Sequence, residues 1–222
     1  MDHRQRHKRL RLLISKLNKE RKNQAKKTDM LCNDLIAAQR DFIKRLSTIS
    51  FAADFYKSII GITDLGKLLS TAGKLIKDKI ADANIAFFLH QAESYELYIF
   101  ESDKPIAITN QPLPAEACLA NVGQQLENCF TAELADNICK SNKPCTLDDM
   151  FAMGLQGNLM QLNKISAFAI PLSQLGPPLG FILICRSSEN KLTTDDLNKV
   201  SAITYGLSRA IQSCQVLSHS GE

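Results

Sequence analysis

An uninterrupted stretch without glycine or proline, from Arg4 to Ile49, constrains the fold of this chain more than any other feature. Apolar residues recur in it at alternating spacings of four and three, the period of a coiled-coil seam. These seam residues are Leu10, Ile14, Leu17, Leu31, Leu35, Ala38, Phe42 and Ile49. Four polar residues occupy the same frame and interrupt the seam, namely Arg21, Gln24, Thr28 and Arg45. The pattern predicts a long helix over residues 1–50 that forms a weak coiled coil.

The simplest partner for such a helix is the same helix of a second chain, because a single helix cannot bury its own seam. We therefore predict a homodimer. Its predicted interface residues are Leu10, Ile14, Leu17, Leu31, Leu35 and Phe42.

Charge separates this helix from the rest of the chain. Residues 1–50 contain 14 Lys/Arg and 5 Asp/Glu. Residues 51–222 contain 13 Lys/Arg and 18 Asp/Glu. The basic run of residues 4–27 is expected to be a solvated helix end. Binding to nucleic acid, to an anionic membrane or to an acidic protein is the alternative. No aromatic residue lies between Met1 and Arg40, so base stacking has no platform there.

The composition is that of a folded globular protein, with 45% hydrophobic and 23% charged residues among 222. This excludes collagen-like and fully disordered chains. No apolar run approaches the roughly 20 residues of a membrane span. The basic N-terminus is not followed by an apolar segment, which argues against a secretory signal, and we expect a cytoplasmic protein.

The seven cysteines show no CxxC spacing and none has a histidine nearby. This argues against a zinc site and a disulfide framework, so we predict no metal, no cofactor and mostly buried thiols. Of the seven, only Cys118 and Cys145 are candidates for a reactive thiol. No Ser/His/Asp set is credible, because His90 is the only histidine available to it.

Residues 51–217 are predicted to form an α+β domain, and residues 218–222 a disordered tail. Helices are expected at 51–60, at 65–80 after a cap at Thr63, and from Val122 to Ile138, where Asn142–Pro144 ends the last of them. Residues 84–90 and 94–101 alternate like a β-hairpin, residues 103–117 are expected to be a loop, and 145–148 a short strand. Residues 149–163 have no clear period. Strands at 165–172 and 179–187 precede a final helix that begins with a Thr193–Asp196 capping box.

This last segment resembles the closing signature of the GAF domain family. A strand ends in Ile170-Pro171-Leu172, a second strand runs from Leu179 to Ile184, and Leu192 to Leu197 opens the last helix. The resemblance covers roughly residues 55–215, and the terminal pattern favours GAF over the related PAS domains.

The resemblance implies an antiparallel sheet of five to six strands with helices packed on its faces. It also implies a small-molecule pocket on one face, and first and last helices that often form a dimer interface. Members bind cyclic nucleotides, tetrapyrroles, haem or small metabolites, or serve only to dimerise. The Cys-His pair of bilin-binding members is missing here, and His90 is a poor candidate for a haem ligand.

In the GAF-like arrangement that the resemblance implies, a pocket would be lined by side chains from the middle of the domain. The predicted ligand-binding residues are Cys118, Phe130, Asp148, Met150, Phe151, Met153 and Phe168. Ordinary core packing explains the apolar members equally well, and a solvated turn explains Asp148 and Asp149.

We therefore predict a non-catalytic signalling or regulatory protein. It senses a small molecule or docks a protein partner of a signalling pathway, and it transmits through its N-terminal coiled coil. The alternative is a dimerisation scaffold with a filled pocket and no ligand. A thiol-dependent small-molecule reductase, similar to the GAF lineage that reduces free methionine sulfoxide, is the third reading.

Overall fold

The computed structural model describes residues 3–91, 94–100, 107–109, 126–157, 162–172 and 178–219. The chain divides into two compact units, Met1–Ser47 and Thr48–Glu222. Cys118, Val122, most of the predicted loop 103–117 and residues 220–222 of the predicted tail lie outside the described residues.

Helix α1 spans His3–Ile59, which confirms the long N-terminal helix. The prediction of a separate short helix over residues 51–60 is wrong, because nothing between Ile49 and Gly61 breaks the helix. Gly61 adopts a φ of +81°, a conformation that commonly ends helices. The last turns of α1 bury Phe51, Phe55 and Ile59.

Helix α2 (Leu65–Lys79) follows, with Asp64 as its N-cap instead of the predicted Thr63. The Asp64 carboxylate accepts a hydrogen bond from the Lys67 N–H at 2.6 Å. Strands β1 (Asn84–Gln91) and β2 (Ser94–Phe100) pair antiparallel, as predicted for the hairpin. Strand β3 (Ala107–Thr109) pairs with β2 inside the segment that was expected to be a loop.

Helix α3 spans Ala132–Ser141 and is shorter than the predicted Val122–Ile138 helix. A 3-10 turn (Leu126–Cys129) precedes it, and Thr131 caps it by accepting a hydrogen bond from the Leu134 N–H at 3.2 Å. Asn142 ends α3 in the left-handed conformation with a φ of 49°, so the predicted end is confirmed.

Strand β4 contains only Cys145–Thr146, and helix α4 (Leu147–Ala152) follows at once. The prediction of a strand to Asp148 is wrong, because Thr146 and Asp149 form a capping box that starts a helix. The Asp149 carboxylate accepts from the Thr146 N–H at 2.8 Å, and the Thr146 hydroxyl accepts from the Asp149 N–H at 3.3 Å.

Strands β5 (Ile165–Pro171) and β6 (Gly180–Ser187) lie where they were predicted. Helix α5 spans Thr194–His219 and therefore includes the first two residues of the predicted tail. Its predicted capping box is confirmed, since the Asp196 carboxylate accepts from the Thr193 N–H at 3.0 Å and the Thr193 hydroxyl accepts from the Asp196 N–H at 3.2 Å.

The six described strands form one antiparallel sheet in the order β3-β2-β1-β6-β5-β4. Alternate residues of the strands face two separate hydrophobic cores. The first core packs the sheet against the end of α1, α2 and α5. The second packs the other face against α3 and α4. The predicted α+β class is thus confirmed, and no helix among the described residues is long and apolar enough to span a membrane.

Candidate functional site

The second core is the face of the sheet on which most of the predicted ligand-binding residues meet. Phe130 and Met150 are fully buried there, and Phe151 and Met153 are partly buried against the same core. Asp148 is exposed on the first turn of α4. Another candidate, Cys118, lies outside the described residues.

Phe168 lies on the opposite face of the sheet, so the expectation that it lines the same space as Phe130 is wrong. Its neighbours in β5, Ala167 and Ala169, belong to the second core, whereas Phe168 packs against the first. Successive side chains of a strand point to opposite faces, and this alternation separates Phe168 from Phe130.

Three phenylalanine rings fill the centre of the second core. Phe88 in β1 stacks on Phe181 in β6 with ring centroids 4.5 Å apart and an interplanar angle of 10°. Phe130 contacts both rings, at centroid distances of 5.0 Å and 5.5 Å. All three side chains are 0% exposed. These rings therefore pack against one another at the centre of this core.

The sequence analysis missed Phe88 and Phe181 as members of this cluster. Both lie in strands that were predicted correctly, but the face that each side chain occupies depends on the register. The register pairs Phe88 directly with Phe181 across β1 and β6. Such a directly opposed pair places two rings side by side on the same face.

A close backbone approach supports this arrangement at Gly180. Gly180 has a φ of +130°, and a β-carbon built on it would lie 1.8 Å from the carbonyl oxygen of Phe88. Only glycine fits this position without moving the backbone. Strand β6 can therefore begin directly against the segment of β1 that carries the phenylalanine cluster.

Polar side chains lie at one edge of the same core. The Tyr95 hydroxyl donates a hydrogen bond to Asp136 Oδ1 at 2.7 Å, and the His90 ring lies edge-on to the Tyr95 ring at 5.1 Å between centroids. Burial first, and the hydrogen bond to Asp136 second, raise the pKa of Tyr95. The phenol is therefore a neutral donor at physiological pH, which gives it a structural role in tying β2 to α3.

Two thiols close to this edge are poor nucleophiles. Burial raises the pKa of Cys139 to about 11. Burial also raises the pKa of Cys145, whose Sγ lies 3.4 Å from Ser141 Oγ. Because the thiolate is the reactive form, these shifts weaken the case for Cys145 as a reactive residue. Among the residues that the structure describes, no group of three His, Cys, Asp or Glu side chains could hold a metal ion.

The unit Met1–Ser47 carries a second candidate site, the exposed apolar stripe of α1. Each predicted interface residue has more than half of its side-chain surface exposed in the single chain. The most exposed of them are Leu31, at 69%, and Phe42, at 62%. Apolar exposure on this scale is typical of a helix that packs against another molecule.

Solved structures with the same fold are GAF domains. The domain from a Coxiella burnetii phosphoenolpyruvate-protein phosphotransferase matches with a TM-score of 0.52 and 12% identity, covering 78% of this chain and 98% of that one. A putative GAF sensor protein from Burkholderia vietnamiensis matches with a TM-score of 0.51, 12% identity and the same coverage of both chains. The GAF domain from an Acinetobacter phosphoenolpyruvate-protein phosphotransferase matches with a TM-score of 0.50 and 11% identity. The match covers 78% of this chain and 98% of that one.

No protein-family model and no curated protein matches the sequence. At such low identity, the structural similarity establishes the fold alone. The predicted GAF-like fold is thereby confirmed.

Proposed function

We propose that this chain is a non-catalytic regulatory scaffold, in which a GAF-like unit docks a protein partner and α1 holds two copies together. The observation that carries the proposal is the phenylalanine cluster of the second core. A ligand at the centre of this core would have to displace the fully buried rings of Phe88, Phe130 and Phe181. Aromatic side chains packed at this distance contribute to stability beyond the area that they bury.

This arrangement favours the scaffold over the small-molecule sensor among the readings of the sequence. Sensor pockets are concave and bury most of their ligand against apolar walls with a few polar groups. Here the polar groups Tyr95 and Asp136, at the edge of this core, are hydrogen-bonded to each other. A ligand would therefore have to compete with existing packing and with an existing hydrogen bond.

The reductase reading loses support from the same face. A thiol mechanism needs an accessible thiolate. Burial of Cys139 and Cys145 raises both pKa values, which disfavours the thiolate form of each.

Self-association is proposed for the part of α1 that follows the basic run. Residues 28–49 contain three Lys/Arg and three Asp, so two copies of this segment carry no net charge to repel each other. Its seam residues are Leu31, Leu35, Ala38, Phe42 and Ile49. Burial of such a seam between two helices is the expected source of dimer stability.

The test is the oligomeric state of the full chain by analytical ultracentrifugation. We expect a dimer for the natural sequence and a monomer for the double variant Leu35→Gln, Phe42→Gln. The matched control is Ile36→Gln, Ile43→Gln, which removes two exposed apolar side chains one position beyond the seam. A control that dissociates as readily as the seam variant would contradict the proposed interface.

Ligand content is tested separately by native mass spectrometry of the protein purified from its own source. The scaffold predicts a mass equal to that of the polypeptide chains, with or without a protein partner. A small molecule retained in a fixed ratio to the chain would overturn the scaffold in favour of a sensor.

A further inference from the structure

We propose that residues 4–27 of α1 bind an anionic lipid surface, which brings the regulatory unit to a membrane without spanning it. This segment contains 11 Lys/Arg and a single acidic residue, Glu20. Residues 28–59 of the same helix contain four Lys/Arg and four Asp. All of the excess positive charge of α1 is thus confined to its N-terminal part.

An apolar stripe runs through this cationic segment. Leu10, Leu13, Ile14 and Leu17 recur at the spacing i, i+3, i+4 and i+7, and each is more than half exposed. This spacing gives a face about 100° wide, which is broader than a two-position coiled-coil seam. Arg11 and Lys16 flank the stripe on its two sides, about 110° from its centre, where their long side chains can reach lipid head groups. The pattern is typical of helices that lie in a membrane interface.

A second copy of the chain is a poor occupant for this stripe. Pairing two such segments would bring two concentrations of positive charge together along helices about 10 Å apart, which is close to the screening length in physiological salt. The frame positions after the stripe are Arg21 and Gln24, so the apolar contact would end after Leu17. An anionic surface offers both the apolar environment and the opposite charge.

Nucleic acid is a less suitable occupant for a related reason. Phosphate contacts need cations, and single-stranded binding also needs aromatic platforms, whereas the first aromatic residue of the chain is Phe42. Four exposed aliphatic side chains on one face have no counterpart on a phosphate backbone. Neutral and anionic lipids both offer an apolar layer, and only anionic lipids attract the cations.

The experiment is flotation of the full chain with vesicles of phosphatidylcholine, with or without phosphatidylglycerol. We expect binding only to the vesicles that contain phosphatidylglycerol, and weaker binding as salt increases. Arg11→Gln with Lys16→Gln should reduce the affinity about fivefold per cation. Leu13→Gln with Leu17→Gln, which keeps every charge, should reduce it about tenfold or more.

A matched control is available in the same helical turn. Leu12 is 71% exposed but lies outside the stripe, so Leu12→Gln should leave lipid binding within about twofold of the natural sequence. A loss with Leu12→Gln equal to that with Leu13→Gln and Leu17→Gln together would overturn the orientation proposed here. Circular dichroism of each variant checks that α1 remains helical.

Three further results would overturn the inference itself. They are absence of binding to both kinds of vesicle, equal binding to both kinds, and displacement by duplex DNA that Leu13→Gln with Leu17→Gln does not alter. The inference stands apart from the proposed dimer, because the monomeric variant Leu35→Gln, Phe42→Gln retains the whole segment. That variant should still float with the anionic vesicles.

Discussion

The ring of Tyr56 in α1 lies directly over Gly206 in α5. A β-carbon built on Gly206 would be 2.1 Å from Cε1 of that ring. The Tyr56 hydroxyl also donates a hydrogen bond to the carbonyl oxygen of Ala202 at 2.8 Å. One side chain thus sets the separation of the two helices within the unit Thr48–Glu222.

We expect Gly206→Ala to destabilise the protein by about 1–3 kcal/mol, because the added methyl group forces the Tyr56 ring to move. This loss occurs although alanine is the better helix former by about 1 kcal/mol. Urea unfolding followed by circular dichroism measures the change.

Gly66→Ala in α2 is the matched control, since a β-carbon there would meet its nearest neighbour, Asp64 Oδ1, at an ordinary 3.5 Å. It should be neutral or stabilising. If the clash is the cause, Gly206→Ala should cost much less in a Tyr56→Ala background, and additive losses would contradict this explanation.

Phe130→Ala should destabilise the protein by about 3–5 kcal/mol, because it leaves a cavity beside two rings that cannot collapse into it. Phe168→Ala should cost less, since Phe168 is only partly buried against the first core. Thermal or urea unfolding of the two variants compares the two faces of the sheet. A loss smaller for Phe130→Ala than for Phe168→Ala would mean that the phenylalanine cluster is not tightly packed.

The cysteines should differ sharply in their reactivity with a water-soluble thiol reagent. In a Cys118→Ser background, we expect Cys32 to react rapidly, because it is exposed, and the buried cysteines to react only on unfolding. With its pKa near 11, Cys139 has about one ten-thousandth of its population as thiolate at pH 7.

Adding Cys32→Ser should therefore abolish the fast phase of the reaction. A fast phase that persists, mapped by mass spectrometry to Cys139 or Cys145, would restore the case for thiol chemistry. Any reaction of Cys139 in the folded protein should rise about tenfold per pH unit between pH 7 and pH 9 without levelling off, because its pKa lies above this range.

The α4 capping box should make stability depend on pH through Asp149. Hydrogen bonds from the Thr146 N–H, and then from the Thr146 hydroxyl, lower the pKa of the Asp149 carboxyl. Because the folded pKa lies below the unfolded one, the box contributes fully above about pH 4 and is lost as the pH falls through the lowered value. Asp149→Asn should therefore lower stability at pH 7 and matter less near pH 2.

Asp148→Asn is the control for this effect, since it removes a neighbouring exposed carboxylate and leaves the box intact. The Asp148→Asn variant should still lose stability as the pH falls through the lowered pKa of Asp149, whereas the Asp149→Asn variant should not show this loss. Urea unfolding at a series of pH values distinguishes the two variants. Identical pH profiles for Asp149→Asn and the natural sequence would contradict the role of the box.

Local sequence signals predicted most of the elements, and their failures have physical causes. The sequence pattern predicts the Thr193–Asp196 box, whereas the same pattern at Thr146–Asp149 predicts the end of a strand and the start of a loop. The two boxes open helices of very different length, because α5 has a long apolar period and α4 ends after six residues. A helix of fewer than two turns gives no periodicity from which to predict it.

The site was harder to predict than the fold, because it depends on which face each side chain occupies. The alternation within β5 was visible, but nothing local says that Phe168 faces α5 while Ala169 faces α3 and α4. That assignment needs the pairing of β5 with β6, in which Phe168 lies opposite Ile184. Packing of Phe130 on Phe88 and Phe181 depends on contacts between residues far apart in sequence, which a single sequence does not encode in any local pattern.

The approach of Gly180 to Phe88 also bears on how this lineage can diverge. Every other amino acid has a β-carbon, so any missense change at codon 180 would push two adjacent strands apart. Homologues that keep the paired rings should therefore keep glycine here even where the remaining sequence has drifted beyond recognition. A glycine at the start of the last strand, aligned with an aromatic residue of the first, offers a signature for finding distant members of this group in genomes.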